Sequence, residues 1–303
     1  MADRLRQVSP VGDRLVSLPG VCEVLREGPD DRPADFLIEL PHGATRGADF
    51  DALRAGLHGD YPADLKQFFY VNTDVGAPEC AREIAGRLGR SGRSVLTVRG
   101  LLPRTFIDCN RRAERHPEQT PAVPAYVRDE RDISALMELY GAYQSTVRRA
   151  YAQVCGEGGM ALILHTYAPR SVKIELIDDD IVRKLHEAYA PQRFEMWERR
   201  PEVELISEDL DGKLLAPQRI VEALKREYAT IGIRVAENRT YRLFPESMGH
   251  VHSVAHPDRV LCMEINRDLL ADPFTPFEEM RIGPRKVARV AAPIAAAFQD
   301  AGD

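Results

Sequence analysis

Short apolar runs that stop abruptly in Pro, Gly or a polar cluster recur along the chain. The first clear one covers Asp35 to Leu40 and ends in PHGAT; others are SVLTV at 94 to 98, MALIL at 160 to 164 and VLCMEINRD around Glu264. Runs of this length bounded by turn residues read as buried strands of an α/β sheet. Between them the periodicity changes. A second apolar run, Phe68 to Val71, stops in NTDVGAP; Pro78 then sits where the first turn of a helix accepts it, and ECAREIAGRLGR follows with apolar residues at helical spacing. From Asp132 to Cys155 the residues Ile133, Leu136, Met137, Tyr140, Tyr143, Val147, Tyr151 and Val154 lie three and four apart, which marks one apolar helix face. The stretch from about Phe277 to Phe298 is Ala-rich and reads as helical, with Pro284 and Pro293 limiting continuous runs.

Strand and helix signals that alternate in this way predict a three-layer α/β/α fold around a mixed, largely parallel sheet. The expected organisation is one domain over residues 1–303. Residues 1–34 form a polar surface lead-in ending in EGPDDRP, 113–131 a charged, Pro-rich surface excursion, and 170–255 core elements (VELIS, PQRIVEALKREYATIG) that carry an insertion shaping a pocket.

Composition narrows the function. With 303 residues, 44% of them hydrophobic, the chain can bury a sizeable core, and its net charge of −6 gives no electrostatic footprint for a nucleic acid. The stretch MADRLRQVSPVGDRLVSL is broken by charges every few residues, so neither a signal peptide nor a membrane span is expected and the cytoplasm is the expected location. Cys22, Cys80, Cys109, Cys155 and Cys262 are odd in number, scattered and without a CxxC pair, so neither a disulfide framework nor a Cys-based zinc site is expected, and four of the five, in apolar contexts, read as buried thiols.

The chemistry gathers where apolar runs end: His42 after FLIELP, Arg104, Asn110 and Arg111 in RTFIDCNRR, His165 after MALIL with Arg170 close behind, and Glu264 within VLCMEINRD. Sites of open α/β sheets form beyond the carboxyl ends of strands, so these segments can deliver their side chains to one crevice. Two imidazoles and a carboxylate hold a catalytic zinc with a position open for water, and Arg binds an anionic substrate. Each residue also has a plainer role. His42 can cap a helix, His165 can be a satisfied core histidine, and Arg104 and Arg111 can pair with Asp108. An ionised Glu264 in a buried strand needs a cation or a task, and Arg267 is a candidate partner.

The order PHGA, a D-V motif, R followed by DCNRR, LHTY and the glutamate of MEINRD resembles the N-formylglutamate amidohydrolase family, and more distantly the zinc carboxypeptidases and aspartoacylase-type amidohydrolases, over about residues 35 to 270. The resemblance implies a zinc carboxypeptidase-like fold and a zinc-dependent amide hydrolase. His42 and His165 would be metal ligands, Glu264 the general base and acid, Arg104 the group polarising the scissile carbonyl, and Asn110 with Arg111 the clamp for a substrate carboxylate. Arg170, with His250 and His252 of GHVH at the pocket mouth, completes the expected substrate-binding set.

Carboxypeptidases take their second ligand from a glutamate three residues after the first histidine, and Thr45 stands there. Asp74 in NTDVGA is the expected third ligand, with Glu79 and Asp49 as alternatives. His250, His252 and His256 fall within seven residues, a departure from the family that could form a second metal site or a substrate-contacting loop. The expected substrate is a small carboxylate-bearing N-acyl amino acid, N-formylglutamate first. The alternatives are a peptidase acting on a specific peptide and a non-catalytic protein that binds an anion or peptide on the same scaffold.

Overall fold

The computed structural model describes residues 15–113, 121–174 and 176–301. The expected lead-in and the Pro-rich excursion fall partly on residues 1–14 and 114–120, outside the described residues. Among the described residues seven strands form one sheet: β1 (Cys22–Glu27), β2 (Phe36–Leu40), β3 (Val95–Gly100), β4 (Met160–Tyr167), β5 (Val203–Ile206), β6 (Val235–Glu237) and β7 (Val260–Asn266), in the order β1-β3-β2-β4-β7-β5-β6. The central strands β3, β2, β4 and β7 run parallel, β1 is antiparallel to β3, and β5 is antiparallel to β7. The expectation of a mixed, largely parallel sheet inside a three-layer α/β/α fold holds.

Nine helices appear among the described residues: α1 (Gly47–Arg54), α2 (Leu65–Asn72), α3 (Ala77–Arg90), α4 (Glu130–Val154), α5 (Ile181–Ala188), α6 (Pro191–Phe194), α7 (Gln218–Thr230), α8 (Met248–Ala255) and α9 (Pro284–Ala301). Successive strand residues face opposite sides of the sheet, and two cores form accordingly. Phe36, Ile38 and Leu40 of β2 join α3, α7 and α9 on one face. Leu37 packs on the other face with the apolar stripe of α4 and with α1, α2 and α5.

That alternation places Glu39 beneath α4, where Tyr143 (3.0 Å) and Tyr151 (2.8 Å) donate hydroxyl hydrogen bonds to it. A buried carboxylate is tolerable there because two donors compensate its lost hydration.

Two local expectations change. The run Phe68 to Val71 is helical, within α2, because Leu65, Phe68 and Phe69 are buried at helical spacing against the α4 core. Pro293 does not interrupt α9, whose Val290, Ala291, Ile294, Ala297 and Phe298 stripe is buried against the sheet. Tertiary burial outweighs the single hydrogen bond that proline removes. All five cysteines are free and buried, and no helix among the described residues is long and apolar enough to cross a membrane.

The loop between α1 and α2 is tied to α4 by one carboxylate. Asp132, in the first turn of α4, accepts hydrogen bonds from the His58 N–H (2.9 Å), the Gly59 N–H (2.8 Å) and the Tyr61 hydroxyl (2.8 Å). Burial raises its pKa, but the N–H groups of Gly59 and His58 and the Tyr61 hydroxyl outweigh it, so Asp132 lies below its ordinary 3.8. A carboxylate held below its unfolded value stabilises the fold at all pH above that value, and the contribution disappears as pH falls through the folded value. Asp132→Asn is therefore expected to lower Tm by a few degrees at pH 7 and to shrink the loss of Tm between pH 5 and pH 2.5. A pH dependence of Tm identical to wild type would sink this account.

Candidate active site

His42 lies just beyond the carboxyl end of β2, His165 lies within β4 near its carboxyl end, and the segment between α2 and α3 brings Asp74 beside both. The geometry is tight. The imidazole centroids lie 4.9 Å apart, His165 Nδ1 is 2.8 Å from Asp74 Oδ2, and His42 Nδ1 is 3.4 Å from the same oxygen. All three side chains are buried, with ligand-capable atoms within 4.8 Å of one another.

Backbone constraints fix this arrangement. A Cβ on Gly43 would meet the Gly100 carbonyl at 2.8 Å, so only glycine lets the chain turn past β3 directly after His42. Gly76, with φ of +82°, closes the Asp74 loop, and a Cβ there would meet Leu270 at 2.8 Å. The Thr73 hydroxyl donates to the Ala44 carbonyl at 2.8 Å, the Thr166 hydroxyl donates to the Val75 carbonyl at 3.0 Å, and buried Arg267 donates to the Thr73 (2.7 Å) and Val71 (3.1 Å) carbonyls. The segment carrying Asp74 is thus tied to the segments carrying His42, His165 and Glu264.

Arg267 directs its two Nη atoms at those carbonyls while its Nε stays unpaired, and Glu264 Oε2 has no hydrogen-bond partner. Glu264 sits opposite His165 in the β4–β7 register and opposite Glu204 in the β5–β7 register. Burial is the main cause that pushes its carboxyl up to about 7; His165, Arg200 and Arg104 oppose the rise and Asp74 adds to it. Burial also raises Asp74, yet His42 and His165 outweigh it and hold that carboxyl far below the ordinary range. Neighbouring carboxylates held at opposite ends of the scale are what division of labour between a ligand and an acid–base group requires.

Of the acids weighed for the third position, Asp74 alone joins the histidines. Asp49 accepts the Thr45 and Arg46 N–H groups at 2.9 Å at the start of α1, and Glu79 pairs with Arg46.

Asp108 has a part the sequence reading did not assign. Its Oδ1 lies 2.7 Å from His42 Nε2, and its Oδ2 accepts from Arg104 Nη2 at 3.0 Å. Burial raises its pKa, but Arg104 and His42 hold it well below the ordinary value. A carboxylate on the far nitrogen of an imidazole fixes the ring and makes the near nitrogen the free donor. His42 Nδ1 is accordingly buried with no hydrogen-bond partner, aimed at Asp74. The donor set of two Nδ1 atoms and one carboxylate oxygen, with an orphaned buried nitrogen among them, fits a divalent cation of the zinc type.

The other residues divide. Asp74, Arg104, Asp108, Arg111 and Glu264 line one cleft of about 660 Å³, and Arg200, Tyr241 and Arg267, not anticipated from the sequence, line it too. Arg111 is loosely paired with Glu246, at 3.8 Å, which leaves donors for a ligand.

Asn110 is turned inward. Its amide nitrogen is 3.4 Å from His165 Nε2 and its Oδ1 accepts from the Gly249 N–H at 3.3 Å, so it braces a histidine and does not line the cleft. Arg170 reaches the cleft, but its guanidinium donates to the Trp197 (2.8 Å) and Glu195 (3.0 Å) carbonyls and pairs with the Glu195 carboxylate.

Neither His250 nor His252 lines the cleft. His252 lies on the buried face of α8 and stacks on Tyr151 at 3.9 Å, and His256 stacks on the same ring at 5.7 Å. Burial lowers the His252 pKa, as expected of a neutral packed imidazole. Helical spacing turned His252 toward the core. Among the described residues His42, Asp74 and His165 are the one group of metal-ligating side chains close enough to share an ion.

No protein-family profile and no curated protein matches the sequence. Among solved structures, the fold is similar to that of an N-formylglutamate amidohydrolase from Ralstonia eutropha JMP134, at 16% identity and a TM-score of 0.56, over 92% of this chain and 98% of that one. A gene product from Agrobacterium tumefaciens matches at 19% identity and a TM-score of 0.54, over 95% and 98% of the two chains. A metallo-carboxypeptidase from Burkholderia cenocepacia aligns more distantly, at 13% identity and a TM-score of 0.39, over 91% of this chain and 60% of that one. The likeness is one of fold, and it agrees with the resemblance read from the sequence motifs.

The ligand set gives a direct test. His42→Ala and Asp74→Ala are each expected to abolish stoichiometric zinc uptake, measured by calorimetric titration of the metal-free protein, since each leaves two donors. Asp108→Asn should still take up one zinc, with affinity lowered about 10- to 100-fold. Unchanged affinity in Asp74→Ala would remove Asp74 from the ligand set.

Proposed function

We propose that the protein is a zinc-dependent hydrolase of an amide bond in a carboxylate-bearing N-acyl amino acid, of the N-formylglutamate type. The observation that carries this reading is the buried cluster of His42, Asp74 and His165, in which His42 Nδ1 makes no hydrogen bond and lies 3.4 Å from Asp74 Oδ2, with Glu264 opposite His165 on the neighbouring strand. His42, Asp74 and His165 would hold the metal. When bound there, a divalent cation supplies Lewis-acid polarisation of a carbonyl and makes water more acidic.

The chain's own groups do the rest. Glu264 accepts a proton from the attacking water at its carboxylate and delivers it to the nitrogen of the leaving amine; burial, which pushes its carboxyl upward, favours its taking up that proton. Arg104 is steadied by Asp108 at 3.0 Å, with its other Nη 4.0 Å from Asp74 Oδ1, and its remaining N–H groups are available to the oxygen on which charge develops. Arg111 would receive the substrate carboxylate, a pairing that a planar guanidinium makes with two hydrogen bonds. A purely binding protein is disfavoured by Glu264, because an unpaired carboxylate in a buried strand is costly and anion binding has no use for it.

Glu264→Gln keeps size and hydrogen-bonding capacity but cannot accept the proton. Zinc stoichiometry and substrate affinity are expected to persist while kcat falls about 10²- to 10⁴-fold. Loss of zinc would make Glu264 a ligand, and near-normal turnover would leave it a structural residue.

Arg111→Ala is expected to raise KM about ten- to a hundredfold for a substrate with a free carboxylate, and to change little for its amidated analogue. Equal effects on both would show that Arg111 does not read the carboxylate.

A further inference from the structure

The cleft that holds the candidate catalytic groups is larger than a formylated glutamate needs, and part of its lining is an apolar wall. At about 660 Å³ it falls within the roughly 300 to 1,000 Å³ that encloses a drug-sized ligand. Beyond the polar groups around Asp74, Glu264 and Arg104, it is lined by Phe68 of α2, Ile181 and Leu185 of α5, and Val172, Ile174 and Ile177 of the chain leading into α5. Val172 and Ile174 line the cleft while the intervening Lys173 is exposed, so the loop turns its apolar side chains inward and its charge outward. These three apolar side chains pack against the core yet stay partly accessible, and they line the same cleft as Asp74, Arg104 and Glu264. Hydrocarbon in a cleft is stabilised when an apolar group displaces water from it.

We propose that the substrate carries a sizeable apolar group, on its acyl chain or on its amino-acid side chain, and that the wall formed by Phe68, Val172, Ile174, Ile177, Ile181 and Leu185 binds that group. The proposal takes its chemistry from the amide-hydrolase reading, so turnover and binding are measured separately. The probes are two series presented to the zinc-loaded full chain. One is glutamate acylated with formyl, acetyl, hexanoyl and octanoyl groups; the other is N-formyl-glutamate, N-formyl-methionine and N-formyl-phenylalanine.

Each methylene withdrawn from water is worth about fourfold in binding, so incomplete burial still leaves a clear gradient. At least a tenfold fall in Kd, by calorimetry, is expected along one series, with kcat/KM rising in parallel. The first series rising alone places the apolar group on the acyl chain, and the second alone places it on the amino acid. Ile174→Asn and Ile177→Asn, at half-buried loop positions, should each cut the ratio of affinities for the large and small probes at least threefold, with folding checked by thermal melting.

Affinity that is flat or falls with apolar size in both series would overturn the proposal and leave the hydrolase reading standing. Tighter binding of the larger probes without turnover of any of them would uphold the apolar wall and defeat the hydrolase reading.

Discussion

The structure turns on how a carboxylate that is 2% exposed can stay ionised. Removing Asp74 from water costs several kcal/mol unless positive charge or donors replace the lost hydration. The fold supplies two imidazoles on either side of its Oδ2 and a guanidinium 4.0 Å from its Oδ1. The surrounding architecture serves that requirement: Gly43 and Gly76 let the chain turn where a Cβ would clash, and Arg267 is buried against three backbone carbonyls of the segment that carries Asp74.

The same constraint separates the site's carboxyl groups. Asp74 and Asp108 lie against imidazole and guanidinium and remain anions, whereas Glu264 has an oxygen without a partner and rises toward neutrality. Their different behaviour comes from which neighbours survive burial, since burial alone pushes all three upward. A site built this way can hold a cation at one carboxylate and pass a proton through another within the same cleft.

Much of the sheet was legible in the sequence because its central strands are buried on both faces. Such strands read as unbroken apolar runs, and their ends are marked by polar residues. His42, just past β2, and His165 and Glu264, near the carboxyl ends of β4 and β7, are polar residues that break or close those runs, so the positions where chemistry gathers were visible as interruptions of the hydrophobic pattern even though the two histidines are themselves buried. The stripe of α4 was equally plain, because a helix of 25 residues repeats its period enough times to be unmistakable. Phe68 to Val71 was not, since four apolar residues carry no period of their own and only the packing of α2 on the core decides their conformation.

What the sequence determined by itself was the kind of protein: an α/β sheet whose strand ends bear imidazole, carboxylate and guanidinium groups. What only the tertiary structure decided was the pairing of those groups. Asp74, Asp49 and Glu79 are acids of similar standing along the chain, and they differ because Asp74 lies between two histidines while Asp49 caps a helix and Glu79 meets Arg46. Asp108 became the brace of His42, and Asn110 turned toward His165. His252 went to Tyr151 because an eight-residue helix presents one face to the core whatever its side chains could ligate. Hydrophobic periodicity is a local property and survives in one dimension, whereas the partner of a polar group is set by distances between segments far apart in the chain.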